Sequence, residues 1–365
     1  MRMPLRLKRA VPFAVPILGA LTLALSWGLE LNPLGAGVIA VVLAATVLSA
    51  VHHAEVIAHK VGEPFGSLIL AVAVTVIEVA LIITLVLSGD DGSATLARDT
   101  VFAAVMITMN GILGISLAVG GIKHGVIRFN SEGAGALLAV ITSLAVLGLV
   151  LPSFTTGAPE GQYSPGQLAF AAIASLAIYG MFVGTQTVRH RDFFLPVAPN
   201  GKNLEPDDHA DAPTAKQAWA SLGLLVLALV TVVGLAKVES PSIEAVIAFA
   251  QLPPSFVGVV IALLVLLPES IAAVNAARAN RIQTSINLAF GSAVASIGLT
   301  IPAIAIASIW IPGPLNLGLG ATQIVLLMLT VIVSILSVVP GRATRLQGGV
   351  HLVIFAAFIF LSMFP

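Results

Sequence analysis

Two glutamates, Glu78 and Glu269, stand inside otherwise apolar runs of this chain. An ionisable group deep in a membrane span costs about 2.5–3.5 kcal/mol on insertion scales, so it reads first as functional. The pair suits hard-cation chemistry. Calcium takes about six to eight oxygen ligands, supplied by carboxylates, carbonyls and water. Two carboxylates neutralise its charge. Once the cation leaves, two close carboxylates in low dielectric do not both stay charged, and they take up protons. A site that holds either a cation or protons, never both, is the minimum for antiport. The plainer alternative is a protonated glutamate hydrogen-bonded to a neighbouring helix. It fits one isolated glutamate better than two at matching places.

Other oxygens must complete the shell. Pro268 immediately precedes Glu269 and removes a helix hydrogen bond, freeing a carbonyl upstream. Thr75 lies one turn before Glu78 and shares its face. Gly291-Ser292 and Ser296 bring small polar groups to the following span. Small residues also let helices approach closely, so Ser292 reads equally as ligand or packing residue, and Ser296 and Thr300 read as packing. Asn110 reads as an interhelical hydrogen-bond partner ahead of a ligand. The expected cation- and proton-binding set is Glu78, Glu269, Thr75 and Ser292, with Glu78 and Glu269 as the metal ligands.

A second cluster is His52, His53, Glu55 and His59, before Gly62-Glu63-Pro64. On a helix, His52, Glu55 and His59 share one face. Its readings, in order, are a solvated helix end, a pH-responsive gate and a transition-metal site. Asp90, Asp91 and Asp99 read as a solvated outer loop.

The elements that position these groups follow from composition. The 365 residues are 58% hydrophobic and 9% charged, with a mean hydropathy of +1.05. Soluble domains carry about a quarter charged residues. The 17 basic and 17 acidic residues cancel, and no basic stripe with interleaved aromatics argues for nucleic acid. The absence of cysteine removes disulfides, thiolate metal sites and cysteine nucleophiles. No Walker-type loop, His-Glu-x-x-His or Gly-x-Ser-x-Gly occurs, which argues against ATP-driven pumping and hydrolysis by this chain. The partners expected are the lipid bilayer and the transported ions, with no cofactor.

A membrane helix needs about 20 apolar residues. Eleven stretches qualify: 11–29, 34–51, 66–87, 100–119, 134–151, 166–188, 217–236, 255–277, 285–310, 319–339 and 346–364. The basic start, Met1 to Arg9, reads as the lead-in to a retained first helix rather than a secretory signal. With the N-terminus in the cytoplasm, alternation leaves only Arg98 and Lys237 among the basic residues outside. That separation supports eleven spans and an outside C-terminus. The polar stretch 189–216, with Pro196, Pro199 and Glu205-Pro206-Asp207-Asp208, reads as a cytoplasmic linker. Five spans precede it after the first helix, and five follow. An odd number per half inverts the halves, the usual plan of secondary transporters, with the ion site at the repeat interface. The expected fold is therefore an all-α polytopic membrane protein. It has a helix at 1–30, a five-helix repeat at 31–188, the linker, and an inverted repeat at 217–365. Glu78 and Glu269 each fall in the second helix of their half.

The residues carry a family resemblance. The run from His53-Ala54-Glu55 through Gly62-Glu63-Pro64-Phe65-Gly66-Ser67 to Ile77-Glu78-Val79 closely resembles the bacterial ChaA-type calcium/proton antiporters of the calcium/cation antiporter superfamily. Leu267-Pro268-Glu269 and Asn287-Leu288-Ala289-Phe290-Gly291-Ser292 agree, and the resemblance covers nearly the whole chain. It implies one extra helix and two inverted five-helix repeats, with Glu78 and Glu269 as the glutamates that bind calcium or protons. Two departures stand out. Fungal and plant proton-coupled exchangers typically carry Gly-Asn shortly before each glutamate, where this chain has Val74-Thr75 and Val265-Leu266. A glutamine after the second Gly-Ser is replaced around Ala295. The expected activity is export of Ca2+ in exchange for H+ across the bacterial cytoplasmic membrane. Na+/H+ or K+/H+ exchange for alkaline pH or salt tolerance is the alternative.

Overall fold

The structure is a computed structural model that describes residues 5–29, 31–62, 65–86, 93–195, 213–310 and 313–365. Glu63, Pro64, Asp90, Asp91 and most of the linker, 196–212, lie outside the described residues.

The chain is helical almost throughout. In order come α1 (Leu5–Ser26), α2 (Pro33–Val61), α3 (Phe65–Val86), α4 (Ser93–Met106), α5 (Leu113–His124), α6 (Ser131–Ala145) and α7 (Pro165–Gly184). Then follow α8 (Ala215–Phe249), α9 (Phe256–Val265), α10 (Leu267–Arg278), α11 (Ile282–Ala307), α12 (Ala321–Val338) and α13 (Arg345–Met363). One π-helical turn, Ile107–Ile112, joins α4 to α5 without a break. The all-α expectation holds, and one two-residue pairing accompanies the helices: β1 (Ile127–Arg128) lies antiparallel to β2 (Arg342–Ala343) where two short loops meet.

Among the described residues, eight helices are long and apolar enough to cross a membrane, or nine with the bent pair α9–α10. The shorter apolar helices Val11–Ser26 and Val72–Thr84 fall on the first and third predicted spans. Helix starts follow local chemistry. Asn32 caps α2 by accepting from Gly35 N at 2.7 Å, with Pro33 in the first turn. Ser164 with Gln167 and Thr214 with Gln217 form reciprocal capping boxes on α7 and α8. Gly62 ends α2 at φ +76°, a conformation that an L side chain rarely adopts.

Two compact units emerge. The first comprises Met1–Ser93 and Ala210–Val257, the second Ala94–His209 and Gly258–Pro365. In the first, α1, α2, α3 and α8 pack together. Gly19 of α1 lies against Thr46 and Thr231, and Gly234 lies against Leu23, so small residues admit close crossings. Pro16 cannot donate to the Pro12 carbonyl. That freed acceptor is taken by Ser49 Oγ at 2.8 Å and His53 Nε2 at 2.9 Å, fixing α1 to α2.

In the second unit, the continuous helix through α4 and α5 and the long α11 are the most enclosed spans. At one end, Lys123 Nζ donates to the Arg278 carbonyl at 2.9 Å, Arg128 pairs with Arg342, and Asn287 Nδ2 donates to the Phe194 carbonyl at 2.6 Å. At the opposite end of α4–α5, Arg98 Nη1 donates to the Gly318 carbonyl at 3.1 Å and Ser153 Oγ to the Leu319 carbonyl at 2.8 Å. The basic residues named here are sorted between the two ends, with Arg98 alone at its end.

Candidate cation site

In the first unit, α3 is an unbroken apolar helix, and Glu78 is 3% exposed on it. Thr75, one turn earlier, is also buried, whereas Val76 points outward. The expected shared face of Thr75 and Glu78 is present. Beside them, Val76, Ile77 and Ala80 of α3 and Leu229, Val230 and Val233 of α8 line an apolar cavity of about 250 Å³. Glu78 is thus enclosed on a helix whose neighbouring face is wholly apolar.

In the second unit, Glu269 has a different setting. Pro268 lacks an N–H for the Leu264 carbonyl, and α9 and α10 meet at a 55° bend around Leu266. The Leu266 carbonyl receives both the backbone N–H and the hydroxyl of Ser270, at 2.9 and 2.6 Å. Glu269 lies half-buried in the first turn of α10, where the helix's unpaired N–H groups favour negative charge. Its helix packs along α11, which carries a half-buried Ser292, and along α5. The structure therefore places Thr75 with Glu78 on one helix, and Glu269 and Ser292 on adjoining helices.

Asn110 is fully buried in the π-helical turn, and both ends of its amide are engaged. Nδ2 donates to Thr330 Oγ1 at 2.9 Å, and Oδ1 meets His351 Nδ1 at 3.1 Å. His351 Nε2 in turn meets Ser337 Oγ at 3.1 Å. The interhelical role expected for Asn110 is what the geometry shows. Because Asn110 uses its N–H on Thr330, its oxygen must accept, so His351 carries its proton on Nδ1. Ser296 and Thr300 are buried within α11, in keeping with packing.

His52, Glu55 and His59 lie on an exposed face of α2, and His53 is fully buried. His53 Nε2 donates to the Pro12 carbonyl, so Nδ1 accepts from Ser221 Oγ at 3.2 Å, tying α2 to α1 and α8. Among the described residues, no group of three or more histidine or acidic side chains could hold a metal ion. Asp99 is buried rather than solvated: its carboxylate pairs with Arg98 at 2.8 Å.

Among the described residues, one buried histidine and one buried glutamate escaped the sequence reading, His351 on α13 and Glu239 on α8. His351 was legible by the rule that picked out Glu78, an ionisable residue within an apolar run. Glu239 was not, because the apolar run ends at 236 while the helix continues to Phe249.

Comparison with known proteins places this geometry. A family model described as sodium/calcium exchanger protein matches residues 32–188 and 220–364. A protein of Sinorhizobium fredii (strain NBRC 101917 / NGR234) named y4hA is 45% identical over 327 residues, 88% of this chain and 87% of its own length. The sodium-potassium/proton antiporter ChaA of Escherichia coli (strain K12) is 34% identical over 315 residues, covering 86% of this chain and 85% of its own. The solved structure of native YfkE has the same fold, with a TM-score of 0.72, 17% identity and 98% coverage of both chains.

Proposed function

Because the chain belongs to the sodium/calcium exchanger family and is a multi-pass membrane cation antiporter rather than an enzyme, we propose that it exports Ca2+ in exchange for H+. Glu78 and Glu269 are the groups that alternately bind the cation and protons, assisted by Thr75 and Ser292. The observation that carries this reading is the enclosure of Glu78, with Thr75 on its face, in an apolar helix. An ionisable group held inside an apolar span is costly and reads as functional. The two stretches matched by the family model support inverted repeats at 31–188 and 217–365, preceded by the helix at 1–30.

The membrane is the bacterial cytoplasmic membrane, with the N-terminus inside and the C-terminus outside. Support comes from the second unit, where Lys123, Arg128, Arg278 and Arg342 gather at one end and Arg98 stands at the other. The inward proton gradient then drives cation efflux. On the cytoplasmic side the carboxylates release protons and take the cation; on the outer side the exchange reverses.

A second reading is Na+/H+ or K+/H+ exchange, favoured by the 34% identity to the sodium-potassium/proton antiporter ChaA. Inverted vesicles with an acid interior separate the two. Calcium, sodium or potassium is added and a pH-sensitive dye followed. A response to low calcium concentrations, lost in Glu78→Gln and Glu269→Gln, is expected. A response to sodium or potassium alone replaces calcium by a monovalent cation. No response from well-folded protein sinks both readings.

A further inference from the structure

Among the described residues, Glu239 is the other buried carboxylate of the first unit. It is 5% exposed, and its Oε2 is enclosed with no hydrogen-bond partner among the described residues. A buried acceptor of this kind needs a proton, a cation or a donor.

Its level in the unit follows from its neighbours. Helix α1 runs parallel to α8, since Gly19 meets Thr231, Leu23 meets Gly234, and Trp27 lies 5.7 Å from Lys237 Nζ. Helix α2 runs the other way, with Thr46 against Gly19 and His53 against Ser221. Helix α3 begins at Phe65, four positions after α2 ends at Val61, and packs on both α2 and α8, so it runs with α8. The apolar cavity puts Ile77 and Ala80 level with Val230 and Val233. Glu78 is thus level with about residue 231, and Glu239 lies about 12 Å further along α8, at 1.5 Å per residue. Lys237 and Trp27, two residues back, are the kind of pair that marks a membrane interface.

Among the described residues, no cationic side chain is seen paired with that carboxylate. Among the described residues, helices α1 and α2 bring no ionisable side chain to this level; those of α2 lie at its far end. Helix α3 carries Glu78. On α8 itself, Lys237 is turned to the Trp27 ring, and Glu244 accepts from Ser240 Oγ at 2.8 Å.

We propose that Glu239 is a separate binding group for the transported cation or its counter-proton, placed between Glu78 and the outer face of the membrane. It receives the cation leaving Glu78 and offers protons on the way in. This inference rests on the antiport reading above and extends it to an outer station that acts on one face only.

The test compares parent, Glu239→Gln and Glu239→Asp in vesicles of both orientations. The concentration of calcium or sodium that half-saturates exchange at the outer face should rise about five-fold or more in Glu239→Gln. At the cytoplasmic face it should stay within about two-fold, and Glu239→Asp should recover part of the loss. Equal values at both faces, changed or unchanged, overturn the proposal. A parent that exchanges no cation sinks the antiport reading instead, and a transport-free readout then decides. Dicyclohexylcarbodiimide modifies buried protonated carboxyls, and mass spectrometry locates the adduct. In purified Glu78→Gln protein, labelling of Glu239 should fall when calcium or sodium is added. Labelling indifferent to both cations overturns the proposal whatever the transport result.

Discussion

Glu78 and Glu269 occupy helices of opposite character. Helix α3 runs unbroken through Glu78 and encloses it, whereas the polypeptide breaks by 55° just before Glu269 and leaves it half-buried in a fresh first turn. The local difference is one residue: Ile77 precedes the first glutamate and Pro268 the second. An intact helix uses its own carbonyls and can offer a cation only side-chain oxygen, such as Thr75. A broken helix frees backbone carbonyls and directs N–H groups at the carboxylate. Matching positions in two halves of a sequence therefore need not supply matching ligands. One glutamate brings burial, the other brings backbone polarity.

The largest expected effect comes from removing either charge. Glu78→Gln and Glu269→Gln should each lower exchange by about 100-fold or more in the vesicle assay, because neutral amides cannot trade a cation for a proton. Near-parental exchange in one of them would break the symmetry altogether and leave the other as the site.

Exchanging the residues that differ sharpens the contrast. Ile77→Pro should cost about 3 kcal/mol or more, since it removes the bond to the Ala73 carbonyl inside an intact helix. Loss of monodisperse protein on size exclusion would report it. Pro268→Ala should instead leave thermal stability equal or raised, because the Leu264 carbonyl regains a donor, while exchange slows by about ten-fold. Unchanged exchange in Pro268→Ala would show that the break serves packing alone.

Smaller effects are expected from the side-chain oxygens. Thr75→Val should raise the half-saturating cation concentration by about five-fold, and Ser292→Ala by about two-fold, because the broken helix has backbone oxygen to spare. The pH dependence has a fixed sign. On the proposed mechanism protons compete with the cation at both carboxylates, so the half-saturating concentration should fall as pH rises. A rise with pH would contradict the shared site.

Much of this architecture is written in hydropathy. Among the described residues, each of the eleven apolar stretches overlaps a helix or, at 255–277, the bent pair α9–α10. Glu78 and Glu269 were legible because a charge inside an apolar run is conspicuous. What escaped depends on tertiary packing. The π-helical turn at Ile107–Ile112 carries no residue pattern of its own; it turns Asn110 toward Thr330 and His351. Pro268 announced a lost hydrogen bond, but not whether the helix would kink or stop. Helix α8 outruns its apolar segment, continuing from Ala236 to Phe249, and Glu239 on that extension is buried. His53 and His52 are neighbours in sequence, yet only the helices packed on α2 decide that one is enclosed and the other exposed.

The central claim is that the same carboxylates hold either the cation or protons. It is tested most directly by adding calcium, then sodium, to purified protein in weakly buffered detergent solution and measuring the protons released. Release from the parent is expected, with most of it lost in Glu78→Gln and in Glu269→Gln, and less release at higher pH. Cation binding without proton release, or undiminished release from both variants, would contradict it.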